Sequence, residues 1–149
     1  MREPEVLAWS TPGKSFEDVG VEVDAEKRDG PDKAEYGVVC RYSQDEKGAF
    51  SFYYFVIAGN QDASIWKVVD SEPHELTVRL KFDEINAGSD SNRITAECLG
   101  RQLTFWKNNL EILVISDTTL PSGDVGVISA TYDDGGLDVR FDNFVVVLP

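Results

Sequence analysis

Histidine and cysteine are almost missing from this chain of 149 residues, which carries one histidine, His74, and two cysteines, Cys40 and Cys98. With a single imidazole, neither a Ser-His-Asp triad nor a histidine-rich zinc site assembles. The sequence has no C-x-x-C pair, no G-x-G-x-x-G after a strand, no G-x-x-x-x-G-K-[ST] loop and no N-x-[ST] sequon. Long apolar runs are lacking as well. The longest, residues 52–58 and 144–148, are far too short for a membrane-spanning helix. Positive charge is scarce: 14 Lys and Arg face 27 Asp and Glu, for a formal net charge of −13. Nucleic acids and anionic membranes draw much of their affinity from basic faces, so both are excluded as partners. The acidic surface is expected to be solvated, with calcium or a cationic partner as the alternative. Met1-Arg2-Glu3-Pro4 runs into polar sequence without the pattern of a secretory leader, as in a piece of a longer precursor.

What remains is an ordinary globular composition, 42% hydrophobic and 28% charged. A chain of this size fits a single domain spanning 1–149, burying roughly two-thirds of the surface its unfolded form exposes. Strand signals recur at 6–10, 16–27, 36–42, 51–58, 64–69, 74–82, 93–99, 102–107, 112–116, 125–132 and 137–148. Turn chemistry separates them, as in Arg28-Asp29-Gly30-Pro31, Asn108-Asn109 and Asp133-Asp134-Gly135-Gly136. No stretch holds a helical period. Many short strands with regular turns predict an all-β sandwich or barrel.

Alternation assigns the faces. Val19, Val21, Val23 and Ala25 point one way, and Asp18, Glu22, Asp24 and Glu26 the other. Ile94, Ala96 and Cys98 share an apolar side, as do Val38, Cys40 and Tyr42 against Val39 and Arg41. Both cysteines thus fall in the apolar phase of their strands. They form one disulfide if those strands are neighbours or face each other across the core, and otherwise remain two buried thiols. The first outcome fits an exported protein, the second a cytosolic one. Segment 51–58 is apolar on both faces, Phe52, Tyr54 and Val56 against Tyr53, Phe55 and Ile57, and so predicts a central strand covered on both sides. The second cover is expected from loops, another element or a ligand.

The order of motifs carries a resemblance. Tyr36-Gly37-Val38-Val39-Cys40-Arg41-Tyr42 is followed by Phe52-Tyr53-Tyr54-Phe55-Val56-Ile57, then by Asn92-Arg93-Ile94-Thr95-Ala96-Glu97-Cys98-Leu99-Gly100. Leu103-Thr104-Phe105-Trp106-Lys107-Asn108, Gly123-Asp124-Val125-Gly126-Val127 and Val139-Arg140-Phe141-Asp142-Asn143-Phe144 complete the series. Together they resemble the concanavalin-A-like lectin and glucanase group, the laminin-G-like and family-16-glycosidase-like domains. That resemblance implies a two-sheet antiparallel jelly-roll sandwich. Relatives of this kind usually open with one or two further strands, so an unpaired edge near the start of the chain is expected, inviting a homodimer. Where the group usually has Asn-Gly, this chain has Asn108-Asn109, which tolerates the same left-handed turn.

Three constellations follow. Glu22-Val23-Asp24-Ala25-Glu26 is an E-x-D-x-E motif; the resemblance implies nucleophile, orienting carboxylate and acid/base in that order. Retaining hydrolysis needs two carboxyls about 5–5.5 Å apart, whereas positions four apart on a strand are separated by about 13 Å. Acids alternating with core valines on a solvated strand produce the same pattern. The second set is aromatic: Trp66, Trp106, Tyr53, Arg41 and Asn108 are candidate sugar contacts, because an indole face matches the C–H face of a pyranose. Trp9 is assigned to packing. The third is Asp142, where related folds hold a structural Ca²⁺ with oxygens from the N-terminal strand. No other cofactor is implied. The leading expectation is a non-catalytic carbohydrate-binding module at the cell surface or outside the cell. A small glycoside hydrolase using Glu22, Asp24 and Glu26 and a protein–protein assembly domain are the alternatives.

Overall fold

The structure, a computed structural model, describes residues 6–10, 13–30, 32–83, 85–87, 90–131 and 138–148. Its strands are β1 (Val6–Ser10), β2 (Val19–Asp29), β3 (Glu35–Gln44), β4 (Phe50–Ala58), β5 (Asp62–Val69) and β6 (Glu72–Glu75). They continue as β7 (Leu80–Lys81), β8 (Asn92–Leu99), β9 (Gln102–Lys107), β10 (Leu110–Ser116), β11 (Asp124–Thr131) and β12 (Asp138–Val147). Among the described residues there is no helix. A seven-stranded sheet runs β1-β11-β3-β4-β5-β6, with β7 also on β5, and a five-stranded sheet runs β10-β9-β8-β2-β12. Every pairing is antiparallel. The expected all-β sandwich is what forms.

The core lies between the two sheets. Val19, Val21, Val23 and Ala25 of β2 reach it with no exposed surface, while Glu22, Asp24 and Glu26 are half-buried on the opposite face. Ile94, Ala96 and Cys98 from β8 and Leu103 and Phe105 from β9 join them. From the other sheet come Tyr36, Val38, Cys40, Tyr53, Phe55, Ile57 and Ile65. Each large apolar side chain removed from water in this way contributes about 1.5–3 kcal/mol. Cys40 on β3 and Cys98 on β8 bridge the sheets as a disulfide, Cα to Cα 6.7 Å, across 58 positions of sequence.

Strand β4 is buried on both sides, as its double apolar pattern predicts. Its outward residues Phe52, Tyr54 and Val56 build a second cluster with Val39, Trp66, Val68 and Ile128. Gly37 lets β3 approach β4 closely; a Cβ there would run into the carbonyl oxygen of Phe55.

Two expectations need correction. Tyr42 does not share the face of Val38 and Cys40. The β3–β4 register slips between Cys40 and Ser43, and Arg41 takes a φ of 55°. This bulge sets two residues against one and inverts the phase beyond it. Arg41 therefore turns inward, and Tyr42 packs outward at 5.8 Å from the Phe52 ring. The single strand expected at 74–82 is two short ones, β6 and β7. Between them the backbone N–H groups of Leu76 and Thr77 both donate to the Ile65 carbonyl, and the Thr77 hydroxyl accepts from Ile65 N at 2.9 Å. A side chain has replaced the ladder partner, so the strand breaks.

Candidate functional site

Of the five predicted ligand contacts, four are committed elsewhere. Trp66 points outward from its sheet, as alternation required, but is only 1% exposed. Its Nε1–H donates to the Ser64 hydroxyl at 2.9 Å, its ring stacks on Tyr54 at 5.9 Å, and the Arg79 guanidinium lies 5.1 Å from its centroid. Arg79 also pairs with the buried carboxylate of Glu35 at 3.1 Å. Trp66 is thus a packing residue of the second cluster rather than an open platform. The strand pattern gives a side chain's direction but not what lies over it.

Tyr53 faces the core, with no exposed surface. Its hydroxyl donates to Asp117 Oδ1 at 2.6 Å and accepts from the Leu120 N–H at 3.1 Å. Burial and the neighbouring Asp117 carboxylate push the phenol up to about 12. Asp117 is itself pulled two ways. Burial raises it, but hydrogen bonds from Tyr53, Thr119 and Lys67 outweigh that and hold its carboxyl at about 2.

Arg41 is 2% exposed and makes five hydrogen bonds to backbone carbonyls, those of Glu17 (twice), Gly100, Leu120 and Cys98. A guanidinium has five N–H donors, so none remains for a ligand. It pins the loops at one end of the sandwich. Asn108 serves the β9–β10 turn: its Oδ1 accepts from the Arg93 N–H at 2.8 Å, and its own N–H donates to the Arg93 carbonyl. Asn108 and Asn109 both adopt the left-handed conformation expected of them, with φ of 48° and 67°.

Trp106 is the predicted contact that stays available. It projects outward from β9, half-buried, opposite Thr95 of β8 and Glu111 of β10. Register extends this row to Glu22 on β2 and Val145 on β12. The adjacent row runs Thr104, Glu97, Gly20 and Val147. Between the two rows lies a cleft of about 250 Å³, bordered by Trp106, Glu22, Glu97, Thr95 and Val147 with Gly20 in its wall. Because Gly20 falls in the outward phase, the place where a side chain would stand is left open. The Trp106 Nε1–H is shielded and has no hydrogen-bond partner among the described residues. Sequence reading missed Gly20, Thr95, Glu97 and Asn109 as cleft residues. For Gly20, Thr95 and Glu97 the signal was the outward phase of β2 and β8, which becomes a site only once the strand order puts them beside Trp106; Asn109 joins from the β9–β10 turn.

The E-x-D-x-E residues do not converge on that cleft. Glu22 borders it and pairs with Arg93 at 3.0 Å, while Asp24 meets the same guanidinium at 3.2 Å. Asn143 donates to Asp24 at 2.8 Å, and this bond, with Arg93, lowers the Asp24 carboxyl below its usual value despite partial burial. Glu26 lies opposite Arg140 in the β2–β12 register. These carboxylates alternate along one strand, and Glu22 and Asp24 share the Arg93 guanidinium.

Asp142 accepts from the Asn143 N–H and pairs with Arg140 at 3.2 Å, at a bulge where Asn143 has a φ of 54°. The N-terminal strand expected to complete a calcium shell instead pairs with β11, in the other sheet. Among the described residues no three metal-ligating side chains cluster. Trp9 lies in β1, but its side chain is outside the described residues.

No protein-family model and no curated protein matches the chain. Solved structures do. A carbohydrate-binding module, CBM66 from Bacillus subtilis, superposes with a TM-score of 0.75 at 14% identity, covering 94% of this chain and 81% of that one. Sheep galectin-11, in complex with glycerol, gives 0.61 at 13% identity and 99% coverage of both chains. Toad ovary galectin, in complex with thio-digalactose, gives 0.62 at 9% identity, covering 95% of this chain and 98% of that one. At such identities the likeness concerns the fold, and that fold is the lectin-type jelly roll.

Proposed function

We propose that the protein is a non-catalytic carbohydrate-binding module whose sugar sits in the Trp106 cleft on the outer face of the five-stranded sheet. The observation that carries this reading is the placement of Trp106. It is a half-exposed indole on a strand held from both sides, beside an open wall at Gly20 and the polar groups of Thr95, Glu22 and Glu97. An indole offers a flat apolar surface to the C–H face of a sugar ring, and flanking carboxylates and hydroxyls accept from its hydroxyl groups. One aromatic ring and a shallow cleft support weak to moderate affinity. The structural neighbours include a protein described as a carbohydrate-binding module and a galectin complexed with thio-digalactose, which fits the same reading. The buried Cys40–Cys98 disulfide suits an oxidising compartment, and so an extracellular or cell-surface setting.

A glycan array followed by calorimetric titration of the best neutral glycan tests it. Trp106→Ala is expected to remove binding without unfolding the protein, and an unchanged affinity in that variant would sink the proposal.

A further inference from the structure

The cleft borders on two carboxylates and no cation. Among its bordering residues Glu22 and Glu97 carry charge, and none is Lys or Arg. The Arg93 guanidinium beside Glu22 has its groups bound to Glu22, Asp24 and the Asn143 carbonyl. Glu97 is half-buried like Glu22 but differs in its pairing: among the described residues neither of its carboxylate oxygens has a partner. It stands in the row next to Trp106, so a group resting on the indole lies within reach of both. Glu111, opposite Trp106 on β10, adds a further negative charge at the rim.

Resting on the carbohydrate reading above, we infer that the cleft selects amino sugars, sugars bearing a free protonated amine, over neutral sugars and against uronates or sulfated glycans. An ammonium group satisfies both halves of the site at once. It is attracted to the indole face through the ring quadrupole, and it donates to the unpaired carboxylate. A neutral hexose has only hydroxyl donors for Glu97. A uronate places a second carboxylate beside Glu22 and Glu97 in a protein of net charge −13, where the surrounding potential is already unfavourable for anions.

The cleft and its indole make the site; the carboxylates set its preference. Removing Glu97 charge should therefore abolish the preference without abolishing binding.

Three β-1,4-linked hexasaccharides, of glucosamine, glucose and glucuronate, titrated into the intact protein at slightly acidic pH provide the test. Glucosamine is expected to bind about fivefold tighter than glucose, the ratio for an ion pair of about 1 kcal/mol, and glucuronate weaker than glucose. Glu97→Gln should bring the glucosamine and glucose affinities together, whereas Glu46→Gln, which removes an exposed charge in the β3–β4 turn, should leave the ratio intact. Raising the pH until the amine deprotonates should also erase the difference in the unmodified protein. Equal affinities for the three sugars, or a glucosamine preference that survives Glu97→Gln, overturns the amino-sugar inference and leaves the Trp106 site standing. Absence of binding by all three, with no change in tryptophan fluorescence, overturns the site itself.

Discussion

The two sheets of this sandwich turn opposite kinds of surface outward. The seven-stranded sheet carries an aromatic layer, Phe52, Tyr54 and Trp66, with none above 1% exposure. The five-stranded sheet carries carboxylates, threonines, the exposed Val145 and Val147 and a single half-buried indole. Trp66 and Trp106 occupy the same kind of place, an outward position on a strand, yet one is sealed and hydrogen-bonded while the other borders a cleft. The difference lies in their neighbours. Trp66 is flanked by Tyr54 on β4 and roofed by Arg79, whereas Trp106 is flanked by Thr95 and Glu111, which bring little apolar surface to cover it. Density of aromatics marks structure here, and isolation marks availability.

Removing each indole should break this comparison most visibly. Trp66→Ala is expected to cost about 3–5 kcal/mol, the range for deleting a buried aromatic side chain. Trp106→Ala should cost under about 1.5 kcal/mol, because its ring is partly in water already. Midpoints of urea unfolding decide it; two similar shifts would show that the faces are not distinct in the way described.

The disulfide lies between the two sheets and so tests their joint stability rather than either face. Replacing Cys40 and Cys98 together with alanine opens a loop of 58 positions, for an expected loss of about 4 kcal/mol from chain entropy. The transition should remain cooperative. Separate melting of an aromatic signal from Tyr54–Trp66 and one from Trp106 would instead indicate that the sheets unfold independently.

Acid should act at the Tyr53–Asp117–Lys67 group, which ties the core face of the seven-stranded sheet to the 117–120 loop. The Asp117 carboxyl sits at about 2 when folded, against about 3.9 for a free aspartate side chain. Its folded value is depressed, so its contribution is complete above about pH 4 and fades as pH falls through about 2. The expected size is about 2 kcal/mol. Asp117→Asn should flatten that part of the stability-against-pH curve. An unchanged acid limb would assign it to other carboxylates.

Much of the fold was legible because period-two patterning is local. β1 and β9 fall at the predicted bounds, and both cysteines lie in the apolar phase that the disulfide requires. Two kinds of information were not local. The bulge at Arg41 inverts side-chain phase with no strong sequence mark, since an arginine with φ of 55° looks like any other strand arginine. Four backbone carbonyls from three separate segments then claim it, which only the closed sandwich brings about. Likewise the cleft needs β12, β2, β8 and β9 side by side. Trp106 was identified from its own strand, but Glu97 and Gly20 acquire meaning only through register.

The smallest expected change in stability comes from Gly20→Ala, and it isolates the cleft from the fold. Gly20 is in extended backbone in the middle of the sheet, where an alanine relieves part of the entropic cost of ordering glycine, about 0.5–1 kcal/mol. A Cβ there would meet Val147 Cβ at 3.4 Å and Glu97 Cγ at 3.8 Å, ordinary contacts that require no displacement of the sheet. The new methyl would stand in the cleft wall, between the side chains a bound ring would touch. Unfolding midpoints should therefore stay level or rise slightly while glycan affinity falls severalfold. Trp106→Ala removes a contact and some stability together, so the alanine at position 20 is the cleaner probe. Affinity that survives it would place the sugar away from Gly20, nearer the Glu111 side of the indole.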